Sequence, residues 1–200
     1  APDIETIGII GPGVQAVWTA ICTAAIRPVT RIFILGRSQR SRDNFILQMK
    51  DKLPEAEILP VSNPEELLRK TSVIIAATTS DTPVLPEEQQ LLSGKTFIAM
   101  GSYRKDMREL PDAVFKLSNR IIIDAPGTKH EVGDVLYPLQ KGFVREENVI
   151  TLGSILTGQN QSGPGTSVFK SAGYALFDLF VAQQLYQKAL LENRGTTFNF

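Results

Sequence analysis

The sequence predicts an α/β fold: a doubly wound, mostly parallel sheet with helices on both faces. Short apolar runs alternate with longer helical patterns along the 200 residues, which is typical of successive βαβ units. A glycine-rich turn separates the first apolar run from the first helical pattern. The composition, with 42% hydrophobic residues, is that of a globular domain large enough to bury its own core.

The apolar runs place the strands, and the periodic segments between them place the helices. The predicted strands are residues 6–10, 31–35, 57–59, 73–77, 96–100, 120–124 and 149–152. The predicted helices are residues 14–25, 41–53, 64–70, 111–117, 135–141 and 167–192. Asn63 is a typical N-cap because Pro64 follows at the first helical position. We expect residues 1–200 to form one domain closed by the helix 167–192, whose apolar surface either packs on the sheet or meets a partner.

Charge, cysteine and histidine content limit the function classes. The 21 basic and 21 acidic side chains balance, which argues against nucleic acid as the main partner because phosphate neutralisation needs a basic surplus. The single cysteine, Cys22, cannot form an intrachain disulfide, and we expect it to be buried in the first helix. The single histidine, His130, cannot form a histidine-based metal cluster. We therefore expect a cytoplasmic protein with no membrane partner and no metal.

The glycine-rich turn is the first candidate site. Its residues are Gly11, Pro12, Gly13, Val14, Gln15 and Ala16. Gly11 permits a tight turn, Gly13 lets a pyrophosphate approach the backbone, and Ala16 lets the helix pack close to the strand. The N-terminal N–H groups and the dipole of the helix favour an anion. The turn thus predicts a Rossmann-like dinucleotide site, and an ordinary strand-to-helix turn is the alternative.

The end of the second strand predicts the choice of dinucleotide. An Asp or Glu at this point binds the ribose hydroxyls of NAD. Gly36 holds that place here, and Arg37, Ser38 and Arg40 follow it. These side chains would attract a 2′-phosphate, so we favour NADP(H), with NAD(H) as the alternative. A solvated basic turn would explain the same residues without a ligand.

The other candidate cofactor contacts follow the fourth and fifth strands and open the predicted last helix. They are Ala77, Thr78, Thr79, Met100, Gly101, Ser102, Lys170 and Ser171. Ligands of open parallel sheets bind at such carboxyl ends, and Gly101 would let a nicotinamide lie against the backbone. Asp106, Arg108 and Glu109 are predicted to lie in a solvated polar turn, and His130 in a solvated loop. No catalytic residue is assigned.

The chain resembles the ornithine cyclodeaminase/mu-crystallin family in four segments that occur in the same order. They are IIGPGVQA at 9–16, MGSYRKDMRELP at 100–111, EVGD at 131–134 and TSVFKSAG at 166–173. The resemblance implies an NAD(P)-dependent enzyme acting on the C–N bond of amino or cyclic imino acids. The family includes cyclodeaminases, alanine dehydrogenases and ketimine reductases, and mu-crystallin also binds thyroid hormone.

The chain departs from this family at two points. Members carry an N-terminal portion that supplies the Arg and Lys for the substrate carboxylate and most of a homodimer interface. We therefore expect these 200 residues to be the cofactor half, which binds cofactor without appreciable turnover. Tyr103 stands where cyclodeaminases have an Asp, which favours NADPH-dependent reduction of cyclic ketimines in proline or amino-acid metabolism. Ornithine cyclodeamination and a non-catalytic ligand-binding module are the alternatives.

Overall fold

A computed structural model describes residues 4–161, 163–196 and 198. It contains a parallel sheet whose strands are β1 (Thr6–Ile10), β2 (Arg31–Leu35), β3 (Glu57–Pro60), β4 (Val73–Ala76), β5 (Thr96–Ala99), β6 (Ser118–Ile123), β7 (Val149–Thr151) and β8 (Thr166–Lys170). The strand order is β3-β2-β1-β4-β5-β8-β6-β7, and every neighbouring pair is parallel. The predicted fold class is confirmed. The order reverses direction between β1 and β4, which is where such sheets open a crevice for ligands.

Helices connect most of these strands. They are α1 (Val14–Ile26), α2 (Gln39–Lys52), α3 (Pro64–Lys70), α4 (Gln89–Leu92), α5 (Asp112–Leu117), α6 (Gly133–Gln140), α7 (Leu152–Leu156) and α8 (Ala175–Leu191), with 3₁₀ turns at Pro126–His130 and Glu146–Asn148. The Asn63 cap is confirmed, because its Oδ1 accepts a hydrogen bond of 2.8 Å from the Glu66 N–H. The sequence did not predict the one-turn helices α4 and α7.

Apolar clusters on the two faces of the sheet form the core. On one face, Ile7 and Ile9 of β1 pack with Ala16 and Val17 of α1 and with Phe45 of α2. On the other face, residues of β1, β4 and β5 pack with helices α3, α4 and α5. A strand that is buried on both faces needs apolar side chains at successive positions, which is why the sequence shows short continuous runs.

The structure corrects the predicted last helix. Residues 166–170 form the strand β8, inserted between β5 and β6, and α8 begins only at Ala175. Burial alternates along β8, with Thr166, Val168 and Lys170 buried and the residues between them partly exposed. Gly173, at a φ of +89°, separates the strand from the helix in a backbone conformation that favours glycine.

The helix α8 presents its apolar side chains to solvent. None of its residues is buried, and Leu179, Phe180 and Leu185 are each more than 60% exposed. Of the two alternatives for this apolar surface, packing on the sheet is therefore wrong. Cys22 is also exposed, contrary to prediction. Within the described residues, no helix is both long and apolar enough to cross a membrane.

Candidate functional site

A cleft of about 480 Å³ opens at the carboxyl ends of β1, β2 and β4, where the strand order reverses. The predicted residues that line it are Gly11, Pro12, Gly13, Gly36, Arg37, Ser38, Ala77, Thr78 and Thr79. The cleft thus brings together the glycine-rich turn, the basic turn after β2 and the polar residues after β4. The sequence predicted cofactor contacts in each of these three segments, and the structure brings the segments to one cleft.

The two glycines of the turn have different tasks. Gly11 lies at a φ of +82° and donates a 3.0 Å hydrogen bond to the Leu35 carbonyl. A Cβ on Gly11 would lie 2.6 Å from the Ala77 carbonyl oxygen, so the fold itself requires this glycine. Gly13 has a φ of −100°, which any residue adopts, and a Cβ there would meet nothing within 4 Å. Neither the backbone conformation nor the packing requires a glycine at position 13. A phosphate lying close to the main chain would require one, because a side chain would occupy its space.

The N-terminus of α1 borders this space through its N-cap Gly13, whereas the predicted residues Val14, Gln15 and Ala16 do not line the cleft. Gly13 is the N-cap, and the first helical bond runs from the Val17 N–H to the Gly13 carbonyl at 3.1 Å. The N–H groups of Val14, Gln15 and Ala16 precede that bond and have no partner within the helix. Val14 and Gln15 are exposed, whereas the Ala16 side chain is fully buried in the core. The residues present therefore fit a pyrophosphate at this helix end.

The turn after β2 has no room for the acid that NAD-binding sites carry. A Cβ on Gly36 would lie 2.8 Å from Cγ of Pro12, so a larger side chain would collide with the glycine-rich turn. Ser38 caps α2 by accepting a 3.1 Å bond from the Ser41 N–H. Arg37 and Arg40 are exposed, and within the described part of the chain no hydrogen bond or ion pair engages either guanidinium.

Sequence reasoning missed Arg42, which stabilises this basic turn. Its Nη1 donates a 2.6 Å hydrogen bond to the Gly36 carbonyl, and its Nη2 donates one of the same length to Gln39 Oε1. The pattern gave a weak signal, because an arginine one turn into a helix reaches back to the preceding loop. Arg42 thus ties the backbone of the turn at Gly36 to the start of α2.

The carboxyl ends of β4 and β5 are joined by the buried carboxylate of Glu109. Its Oε1 accepts hydrogen bonds from the Thr78 N–H at 2.6 Å and the Thr78 hydroxyl at 2.9 Å. Its Oε2 accepts from the Gly101 N–H at 2.6 Å and the Ser102 N–H at 3.2 Å. Glu109 is fully buried. The prediction that it lies in a solvated turn is therefore wrong.

A second buried carboxylate, Asp134, supports the first. It accepts hydrogen bonds from the Ser102 hydroxyl at 2.6 Å and from the N–H groups of Glu109 and Leu110 at 3.1 Å. Ser102 is fully buried, so its hydroxyl faces the interior. No local pattern in the sequence indicates this arrangement, because the partners of Glu109 and Asp134 lie far from them in the chain.

Lys170 places a positive charge beneath these carboxylates. The residue closes β8 and is fully buried, and its Nζ donates a 3.2 Å hydrogen bond to the Ala99 carbonyl. Burial lowers the pKa of Lys170 and outweighs the charges of Asp134, Glu109 and Asp124, which raise it. Burial also raises the pKa of Glu109 and outweighs the hydrogen bond from Thr78 and the charge of Lys170, which lower it.

A third carboxylate, Asp124, ties the end of β6 to the end of β8. Its Oδ2 accepts 2.8 Å bonds from the Ser171 hydroxyl and from the N–H groups of Ala172 and Gly173. Its Oδ1 accepts a 2.6 Å bond from the Thr128 hydroxyl. Burial alone would raise the pKa of Asp124, but the hydrogen bonds from Thr128, Ser171 and the backbone outweigh it and hold this pKa below its usual value.

The structure places several other predicted residues away from the cleft. Gly101 follows β5 behind Thr78, Lys170 is internal, and Ser171 lies after β8 rather than in a helix. Met100 faces a separate apolar groove of about 350 Å³ beside α1, with neighbours that include Trp18, Cys22 and Phe169. Tyr103, where the chain departs from the cyclodeaminases, is exposed, and so is His130, which was predicted to be solvated.

The sheet order, the glycine turn and the cleft at the strand reversal define a Rossmann-like α/β domain. The family model described as "Ornithine cyclodeaminase/mu-crystallin family" matches residues 1–193. The chain therefore belongs to the ornithine cyclodeaminase/mu-crystallin family, as its four sequence segments predicted.

Two curated relatives and one solved structure illustrate the similarity. The chain is 28% identical over 203 residues to a Delta(1)-pyrroline-2-carboxylate reductase of Bacillus cereus, covering 99% of this chain and 62% of the relative. It is 30% identical over 172 residues to a Delta(1)-pyrroline-2-carboxylate/Delta(1)-piperideine-2-carboxylate reductase of Azospirillum brasilense, covering 86% and 52%. The Thermococcus litoralis Delta(1)-pyrroline-2-carboxylate reductase, solved with NADH and L-proline, superposes with a TM-score of 0.90 at 27% identity, covering 99% and 62%. The chain thus spans less than two thirds of the length of each.

The hydrogen bonds to Asp124 should make stability depend on pH in a defined direction. We expect Asp124→Asn to lower the free energy of unfolding at pH 7 by about 1.5–3 kcal/mol, the range for bonds to a charged group. Because the folded-state pKa of Asp124 is lowered, its stabilisation is present above the ordinary aspartate pKa of about 3.9 and is lost as the pH falls through the folded-state value.

Urea unfolding at pH 7 and at pH 3 measures this difference. The exposed Asp51 provides the matched control, because Asp51→Asn removes the same charge from the surface of α2. The difference in the free energy of unfolding between the wild type and Asp124→Asn should be smaller at pH 3 than at pH 7. A gap that stays constant or widens at pH 3 would contradict the assigned role of the carboxylate.

Proposed function

We propose that this chain is the nicotinamide-dinucleotide-binding part of an NADPH-dependent reductase of cyclic ketimines, of the kind that includes Delta(1)-pyrroline-2-carboxylate. The observation that carries the proposal is the open space over Gly13, at the N-terminus of α1 and inside the cleft. The names of the curated relatives support a reductase, and the NADH in the Thermococcus litoralis structure supports a nicotinamide dinucleotide. The preference for NADPH rests on Arg37 in the cleft alone.

The residues on the two sides of β1 divide the proposed cofactor into halves. The glycine turn and α1 hold the pyrophosphate, and the turn after β2 holds the adenine ribose. The nicotinamide half then extends past Thr78 towards the end of β5, where Gly101 follows. When bound, the nicotinamide supplies the hydride for such a reduction.

The choice of a reductase over a deaminase rests on Tyr103. This side chain is 59% exposed in the loop after β5 and carries a phenol in place of the carboxylate that would act as a general base. Reduction of a preformed C=N bond needs no such base at this position. The proposal includes a homodimer of the whole protein, which the exposed apolar surface of α8 supports.

One prediction of this proposal tests whether the pyrophosphate binds over Gly13. Gly13→Val should abolish the binding of NADPH and NADH, because the added side chain fills the space that the phosphates would occupy. The fold should be retained, since a Cβ at Gly13 meets nothing within 4 Å. Gly153→Val is the matched control, because a Cβ there is also unopposed and Gly153 lies outside the cleft. Calorimetric titration measures both affinities. A folded Gly13→Val chain that binds the cofactors as tightly as the wild type would refute the placement of the pyrophosphate over Gly13.

The second prediction tests the preference for NADP. Arg37→Ala should weaken NADPH binding by about 10- to 150-fold, the equivalent of 1.5–3 kcal/mol for a bond to a charged group. NADH has no 2′-phosphate, so its affinity should hardly change. Arg27→Ala removes the same charge at the opposite end of α1 and should alter neither affinity. Equal losses for the two cofactors would count against a phosphate contact, as would tighter binding of NADH by the wild-type chain.

A further inference from the structure

The carboxylate of Glu109 is buried behind the cleft and lines none of it, yet it holds the backbone of two adjoining strand ends. Its four hydrogen bonds reach Thr78 after β4 and Gly101 and Ser102 after β5. Thr78 lies in the wall of the cleft on the far side of β1 from Arg37. This geometry sets Glu109 apart from a residue that only fills the core.

We propose that Glu109 is a positioning residue for the nicotinamide half of the cofactor, which it orients by fixing the ends of β4 and β5 against each other. This inference rests on the proposed function. In this proposal Glu109 does not touch the cofactor and acts through the main chain of Thr78 and Gly101.

The chemistry of the four bonds requires a carboxylate. Both oxygens of Glu109 accept, each from two donors, and a carboxylate is the side-chain group that accepts at both ends. A glutamine of the same length would place an amide NH₂ against one pair of donors. At least one strand end would then have to move.

The contact between the two strand ends leaves little tolerance for such a movement. A Cβ on Gly101 would overlap the carbonyl oxygen of Thr78, so the two backbones already touch. Asp134 holds Glu109 from behind by accepting a 3.1 Å bond from its N–H. The buried Lys170, whose Nζ donates to the Ala99 carbonyl at the end of β5, adds a third charged group to this interior.

Glu109 makes no hydrogen bond to the glycine-rich turn, and Gly11 meets the strand end that Glu109 holds only through packing against Ala77 and Thr78. Gly11 is held by the Leu35 carbonyl of β2, and Gly13 lies at the N-terminus of α1. A change at Glu109 should therefore separate the two halves of the cofactor. ADP-ribose, which has the adenosine and pyrophosphate but no nicotinamide, reports on one half, and NADH reports on both.

The test compares Glu109→Gln with Glu87→Gln in the complete 200-residue chain. Glu87 is a matched control because it also accepts bonds from two backbone N–H groups, those of Asp112 and Ala113, but is exposed and lies outside the cleft. In Glu109→Gln, NADH binding should weaken about tenfold or more, the size of one disrupted bond to a charged group. ADP-ribose binding should stay within about twofold of wild type, and Glu87→Gln should change neither.

Equal losses of NADH and ADP-ribose in Glu109→Gln would overturn the inference, because they would show a general structural role. Unchanged NADH affinity would overturn it as well. If the wild-type chain binds neither ligand, the proposed function fails and this inference fails with it. If the wild-type chain binds both ligands, the comparison with Glu109→Gln tests the role of Glu109 alone.

Hydrogen exchange of the wild-type chain decides the case if Glu109→Gln does not fold. The amides of Thr78 and Gly101 should exchange slowly in the free protein, because both donate to Glu109. NADH should slow their exchange further, and ADP-ribose should not. Fast exchange of these amides in the free protein, or equal slowing by the two ligands, would overturn the inference.

Discussion

Backbone N–H groups at the carboxyl ends of parallel strands need acceptors where the chain leaves the sheet, and buried carboxylates supply them in this protein. Glu109 accepts from the residues after β4 and β5, and Asp124 accepts from those after β8. Asp134 then accepts from the backbone of Glu109 itself. A buried backbone donor without an acceptor costs free energy comparable to a lost hydrogen bond, so these acids determine the shape of the strand ends.

The edge of the sheet that carries the cleft is consequently built in two ways. On the side of β1 and β2, glycines let the main chain approach a ligand closely and Arg37 stays free. On the side of β4 and β5, charged side chains are buried and fix the main chain from behind. In the function proposed above, the first half would bind the phosphate groups and the second would position the nicotinamide. This division fits the chain's membership of the ornithine cyclodeaminase/mu-crystallin family.

Local patterns in the sequence predicted the fold class, the glycine turn and the Asn63 cap, because each depends on neighbouring residues. They did not predict β8, since its apolar residues run directly into those of α8 and only pairing with β5 and β6 makes it a strand. Glu109 was assigned to a solvated turn because nothing local shows that Thr78, 31 positions earlier, closes over it. Long-range contacts therefore decide the residues that sequence patterns misplaced.

NMR titration of the ¹⁵N-labelled chain with NADPH would decide whether the cleft over Gly13 binds a nicotinamide dinucleotide across β1. Saturable shifts are expected in the amides of Gly13, Arg37 and Thr78. The Gly153 amide and the Trp18 indole should stay unchanged, because both lie outside the cleft. If no amide shifts saturably, or if the shifts are confined to the apolar groove beside Trp18, the cleft is not the cofactor site.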